Sequence, residues 1–190
     1  MRSIFKEAFR RDGRRRIASR ADTIIILGGD TMEEKVTFRY AQREDAPLIM
    51  EFVKALAEYE KMPELVRASE KDLEEWLFDK KRAEVLFLAV SGKEAGFALF
   101  FDSFASYPGK GGIYLDDLYI KPEYRGKGYG KALFRKLAQI TRERGGMRIE
   151  WLCLKSNLPS IGFYESMGGR QMEMSTTFRL ENDALDLLSL

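Results

Sequence analysis

Asp116-Asp117-Leu118-Tyr119-Ile120-Lys121-Pro122-Glu123-Tyr124-Arg125-Gly126-Lys127-Gly128-Tyr129-Gly130-Lys131-Ala132-Leu133 decides how the chain is read. It runs as a strand ending at Lys121-Pro122, a glycine-rich loop, and an apolar-periodic helix from about Gly130. Gly126, Gly128 and Gly130 free the backbone to take positive φ and to approach a ligand closely. The helix that follows offers unpaired N–H groups and the positive end of its dipole, so the loop is suited to a diphosphate. Arg125, Lys127 and Lys131 add charge-assisted hydrogen bonds to such an anion.

Outward from this stretch the patterning alternates between strand and helix. Val36-Thr37-Phe38-Arg39-Tyr40 predicts a strand, and Leu48, Ile49, Phe52, Val53, Leu56 and Ala57 mark one face of the helix after Pro47. Ser69 with Asp72 forms a loose capping box that opens a second helix through Phe78. Residues 85–90 and 94–101, joined by Ser91-Gly92-Lys93, predict a hairpin. Residues 107–112 read as a loop and 113–120 as the next strand. After the helix carrying Ala132, Leu133, Leu137 and Ile140 come a strand over 147–154, a short helix capped by Asn157, and an alternating last strand over 171–180. The order β-α-α-β-β-β-α-β-α-β predicts an α/β (α+β) fold: a mixed, mostly antiparallel twisted sheet with helices on both faces and a parallel crossover at one end.

Composition bounds the chemistry. With 190 residues, 45% hydrophobic and 33% charged, the chain suits one domain with a sizeable core. Residues 1–31 hold eight Arg/Lys and four Asp/Glu, which leaves the remainder with two more acidic than basic residues. A mildly acidic body argues against nucleic acid as partner and suits a cationic small molecule. The single cysteine, Cys153, excludes an intrachain disulfide and fits a reducing, cytoplasmic setting. Histidine is absent, which rules out Ser-His-Asp catalysis and His-ligated metal chemistry; no metal site is expected. Residues 1–31, with Arg14-Arg15-Arg16 and the short apolar run Thr23-Ile24-Ile25-Ile26-Leu27, read as a disordered extension or an upstream mis-start with translation beginning at Met32. The apolar run is too short to span a membrane. Residues 32–190 are then one domain.

Arg125-Gly126-Lys127-Gly128-Tyr129-Gly130 resembles the Gln/Arg-x-x-Gly-x-Gly/Ala acetyl-CoA loop of GCN5-related N-acetyltransferases. Asn157-Leu158-Pro159-Ser160-Ile161-Gly162-Phe163-Tyr164-Glu165-Ser166-Met167-Gly168 is similar to that family's second cofactor motif. Two motifs at this separation are specific. Leu56-Ala57-Glu58-Tyr59-Glu60-Lys61-Met62 and Tyr114-Leu115-Asp116-Asp117 resemble the diamine (spermidine/spermine) and thialysine branch, although Asp116 stands where that branch has Glu.

The resemblance implies acetyl transfer from acetyl-CoA to the primary amine of a small cationic acceptor, directly within a ternary complex. Protein N-termini, lysines or aminoglycosides are alternative acceptors, and a non-catalytic acyl-CoA module is a second class. Asp116 is the candidate base, acting through water, and the resemblance supplies Tyr164 as the acid for the leaving thiolate. It also implies Leu118, Tyr119, Ile120, the loop 125–131 (Tyr129 included), Asn157 and Ser160 as cofactor contacts, with the Leu118 N–H as oxyanion donor. Tyr59, Glu60, Glu150, Trp151 and Leu152, with Asp116, would line the acceptor pocket, the glutamates attracting the amine and Trp151 offering a ring face. A homodimer is implied too, with Phe100-Phe101-Asp102-Ser103-Phe104 as a contact.

Overall fold

A computed structural model describes residues 22–27 and 33–189. Six strands form one sheet in sequential order: β1 Asp22–Leu27, β2 Glu33–Tyr40, β3 Glu84–Val90, β4 Lys93–Ala105, β5 Lys110–Ile120 and β6 Ile149–Trp151. Neighbours pair antiparallel except β5 with β6, which run parallel as a crossover through α3 requires. The helices are α1 Ala46–Glu60, α2 Glu70–Leu73 running on into a π-helical stretch Glu74–Asp79, α3 Tyr129–Glu143, α4 Leu158–Ser166 and α5 Asp183–Leu188. The expected mixed, mostly antiparallel α/β sheet is therefore the observed one.

The chain divides into two compact units, one running to Trp151 and one from Leu152 onward. In the first, β3 is buried along almost its whole length, as a central strand covered on both faces must be. On one face, Ile49 and Phe52 of α1 pack against Val85, Phe87, Phe97 and Tyr119, each side chain stabilising the fold by about 1.5–3 kcal/mol. Phe52 stacks on Phe97 at 5.0 Å between ring centroids. On the other face α3 buries Ala132, Leu133, Leu137 and Ile140, as the periodicity predicts, and Tyr129 and Phe134 with them. Helix α1 ends because Lys61 takes a left-handed conformation (φ 61°), which turns Met62 N–H back onto the Ala57 carbonyl.

Several expectations need correcting. Residues 171–180 form no strand: Met172, Met174 and Phe178 are exposed, and alternation alone cannot make a strand without a ladder to join. The strand expected over 147–154 shortens to Ile149–Trp151, while β4 and β5 extend into a long hairpin that takes in part of the expected loop. A strand also stands at Asp22–Leu27, within the stretch expected to lack order; residues 1–21, 28–32 and the proposed start at Met32 lie outside the described residues. In the aromatic run of β4, Phe100 is core, whereas Phe104 is exposed and Phe101 lies at the margin, its ring stacked on Tyr114.

The β4–β5 ladder carries one irregularity. Leu99 faces Asp117 but Phe100 faces Leu115, so Asp116 is an extra, unpaired residue, a β-bulge. Near the end of this ladder the two backbones approach closely at Gly96. A Cβ there would lie 2.3 Å from Ile120 Cδ1 and 2.8 Å from the Tyr119 carbonyl oxygen. Gly96→Ala is expected to cost about 1–3 kcal/mol, the range for overpacking, read as a lowered denaturation midpoint with unchanged m-value.

Candidate active site

The glycine loop has the conformation an anion cradle needs. After a 3-10 turn over Pro122–Tyr124, Gly126 (φ 76°) and Gly128 (φ 86°) take left-handed conformations, and Gly128 is the N-cap of α3. A Cβ on either would meet nothing within 4 Å, so the space above both is open. Helical pairing starts with Ala132 N–H on the Gly128 carbonyl at 3.0 Å, which leaves the N–H groups of the first turn for a ligand. Lys127 and Lys131 are exposed beside it. These residues fit the pyrophosphate of a CoA-like molecule.

Two side chains of this loop are placed otherwise than expected. Arg125 is turned away from the cradle: its Nε donates to the Ile120 carbonyl at 2.9 Å, and its guanidinium lies 4.5 Å from the Tyr59 ring centroid and 5.1 Å from that of Tyr119. A delocalised, weakly hydrated cation gains more by covering two rings than by standing free in water. Tyr129 is a core residue at 1% exposure, with its hydroxyl buried, so only its backbone can serve a ligand in the cradle. Tyr119 is likewise buried, its ring edge-on to Phe52 at 6.3 Å.

Strand β6 accompanies β5 only over Ile113–Leu115, so residues 116–120 have a strand neighbour on the β4 side alone. An extended ligand arm could pair with that edge as an added strand would. At its start lie the two aspartates. The bulge sets Asp117 on the α1 face, opposite Leu99 and in phase with Phe97 and Tyr119, where the last turn of α1 brings Glu60. Asp117 is raised to about 7, first by burial, then by the charges of Asp116 and Glu60. Burial also raises Glu60 and Asp116, the latter exposed as a residue but with its carboxyl shielded. A carboxylate near neutrality can both hold and release a proton at working pH.

Sequence reasoning singles out Asp116, whereas the structure makes its neighbour Asp117 the more strongly perturbed of the two. The doublet is visible, but in a plain strand two neighbours point to opposite faces, and nothing in the letters marks a bulge.

The remaining acceptor candidates are less concentrated. Glu150 is paired with Arg148 at 2.8 Å, which offsets its charge. Trp151 is half-buried, its ring perpendicular to that of Phe134 on α3 at 5.3 Å between centroids. Tyr59 is partly exposed and edge-on to Tyr119 at 6.4 Å.

In the second unit, Leu152 is exposed, and Asn157 Oδ1 accepts the Ser160 N–H at 3.3 Å, capping α4. The Asn157 Oδ1 is thus engaged with its own helix, which leaves the amide nitrogen as the group of this side chain that a cofactor contact would use. Tyr164 is half-buried on α4 with its ring 5.2 Å from Phe163, and its carbonyl accepts the Met167 and Gly169 N–H groups where the helix stops.

Comparison with known proteins shows the family. Residues 49–169 match the Acetyltransferase (GNAT) family. Similar relatives include thialysine N-epsilon-acetyltransferases from Sus scrofa, 30% identical over 79% of this chain and 95% of the relative, and from Caenorhabditis elegans, 31% identical over 75% and 90%. A solved integron cassette protein from the mobile metagenome of V. cholerae superposes with a TM-score of 0.68 at 25% identity, covering 81% of this chain and 97% of that one.

Proposed function

The chain belongs to the acetyltransferase (GNAT) family, an N-acetyltransferase with acetyl-CoA as co-substrate, and from that premise we propose that its acceptor is the primary amine of a small cation bearing a second amino group, a diamine, a polyamine or a thialysine-like amino acid. One observation carries the proposal: Glu60, Asp116 and Asp117 are gathered from α1 and β5, and burial, with the charges of Asp116 and Glu60 after it, raises Asp117 to about 7. Such a cluster favours a cationic ligand and gives its proton somewhere to go. The relatives named for thialysine support the same acceptor class.

Acetyl-CoA supplies the activated acetyl group. An alkylammonium of pKa roughly 10 is protonated at neutral pH and must lose a proton before its lone pair can attack. We assign that proton to Asp117, which burial and the neighbouring charges raise to about 7; Asp116 raises its basicity, and Glu60 helps hold the second cationic end of the acceptor. The amine nitrogen then bonds to the carbonyl carbon as the carbon–sulfur bond breaks. The Leu118 N–H is assigned to the carbonyl oxygen, and Tyr164, by its place in the second cofactor motif, donates its phenolic proton to the leaving thiolate and regains one as the acylated nitrogen sheds its second proton to become the amide. Cys153 has no histidine to activate it, which supports direct transfer.

No helix among the described residues is long and apolar enough to cross a membrane. The lone cysteine supports a cytoplasmic setting. The exposed aromatics Phe104 and Tyr107 on the β4–β5 hairpin support a homodimer.

The test is a panel of acceptors assayed by release of free CoA. Diamines and thialysine are expected to be turned over with kcat/KM at least about a hundredfold above that for monoamines of equal length, because loss of one charge leaves an acidic pocket uncompensated. Turnover of peptides or aminoglycosides with diamines and thialysine inert would overturn the acceptor assignment.

A further inference from the structure

We propose that Arg125 is a positioning residue that couples the cofactor loop to the acceptor pocket. The inference rests on the acetyltransferase reading of the same site. The backbone of Arg125 belongs to the cradle: its N–H closes the 3-10 turn onto the Pro122 carbonyl at 3.1 Å, and Gly126 follows directly. Its side chain belongs to the acceptor end. The guanidinium covers Tyr59, which precedes Glu60 at the end of α1, and Tyr119, two residues beyond Asp117 on β5, while Nε is fixed on the Ile120 carbonyl. The two tyrosines meet edge to face, and Tyr119 in turn meets Phe52, so α1, β5 and the loop are joined through one cation.

A diphosphate held in the cradle restrains the Arg125 backbone, and the planar guanidinium carries that restraint to Tyr59 and the last turn of α1. Arginine suits this link because it can stack and donate at once, which lysine cannot. Thermodynamic reciprocity then requires that CoA tighten acceptor binding by the same factor as the acceptor tightens CoA. Lys127 supplies the contrast. It sits in the same loop, but its ammonium lies 5.9 Å from the Tyr124 ring, away from the tyrosine pair.

Hydrogen exchange with free CoA tests the coupling without needing turnover. In the wild type, CoA is expected to slow exchange over residues 128–132 and also over 57–62. In Arg125→Met the protection at 128–132 persists while that at 57–62 is lost; in Lys127→Met, CoA binds more weakly but at saturation protects both. With the best acceptor of the panel, Arg125→Met raises the amine KM about 5- to 20-fold, changes the CoA Kd less than about threefold, and Arg125→Lys falls between, magnitudes in the usual range for coupling between sites. A melting temperature measured for each variant separates these effects from loss of fold. The proposal is overturned if wild-type residues 57–62 do not respond to CoA, if Arg125→Met keeps their response, or if that variant weakens CoA alone. Normal coupling in exchange with every acceptor inert would instead count against the acceptor assignment.

Discussion

In Asp117→Asn, kcat for amine acetylation is expected to fall by about a hundred- to ten-thousand-fold, the range for loss of a positioned proton acceptor, while the folded protein becomes more stable at pH 8. The two effects have one cause. Asp117 is held at about 7 against an ordinary value of 3.8, first by burial and then by Asp116 and Glu60. Below pH 4 the folded and unfolded chains both carry its proton, and burial costs nothing through ionisation. Between about pH 4 and 7 the unfolded chain releases the proton and the folded one keeps it, so stability falls as pH rises; above 7 the loss is complete. A rise from 3.8 to about 7 corresponds to about 4 kcal/mol at most, and asparagine, being neutral, escapes it. Thermal melts should therefore converge for wild type and Asp117→Asn near pH 4 and diverge by several degrees at pH 8. The wild-type rate should rise with pH through about 7, and the variant's residual rate should lose that step. An unaltered kcat and pH profile in Asp117→Asn would return the proton to Asp116 or to solvent.

Gly128→Val is expected to raise the KM for acetyl-CoA by about ten- to a hundredfold with little change in amine KM. No side chain blocks a Cβ at this position, so the effect is one of backbone conformation. A φ of 86° at the N-cap of α3 is available to glycine but costs an L-residue about 1–2 kcal/mol, and a β-branched residue more. Valine would relieve that cost by rotating the loop, which turns the first N–H groups of α3 away from the anion, and each charge-assisted hydrogen bond lost is worth about 1.5–3 kcal/mol. Gly128→Asn is the control, because asparagine tolerates the left-handed region. Acetyl-CoA affinity measured by calorimetry should rank glycine first, asparagine near it and valine last. Equal affinities would mean that the cradle does not depend on this conformation.

Much of this architecture is legible in the letters. The strand-loop-helix around Gly126 and Gly128, the buried stripe of α3 and the central hairpin all follow from periodicity and turn chemistry, because each is a local pattern whose partner lies close in sequence. What escapes depends on something distant. Residues 171–180 alternate well but join no ladder. Arg125 looks like a phosphate ligand until Tyr59, some 66 positions earlier in the chain, provides a surface for it. The preference for Asp116 over Asp117 is the instructive case, since both acids are plain in the sequence and the choice between them turns on a single unpaired residue in the ladder.

That residue divides β5 into two frames of reference. Upstream, Leu115 is in phase with Phe100, over which Arg144 at the end of α3 lies at 5.5 Å; downstream, Asp117 and Tyr119 are in phase with Phe97 and α1. Odd-numbered positions thus face one layer before the bulge and the opposite layer after it. A chain one residue shorter at 116 would keep both layers correctly dressed and lose only the kink. The same deletion at 118, absorbed by giving up the bulge, would leave Tyr119 in its aromatic nest but turn Asp116 instead of Asp117 toward α1. Where one residue is lost from this strand therefore decides which of the two aspartates looks toward α1.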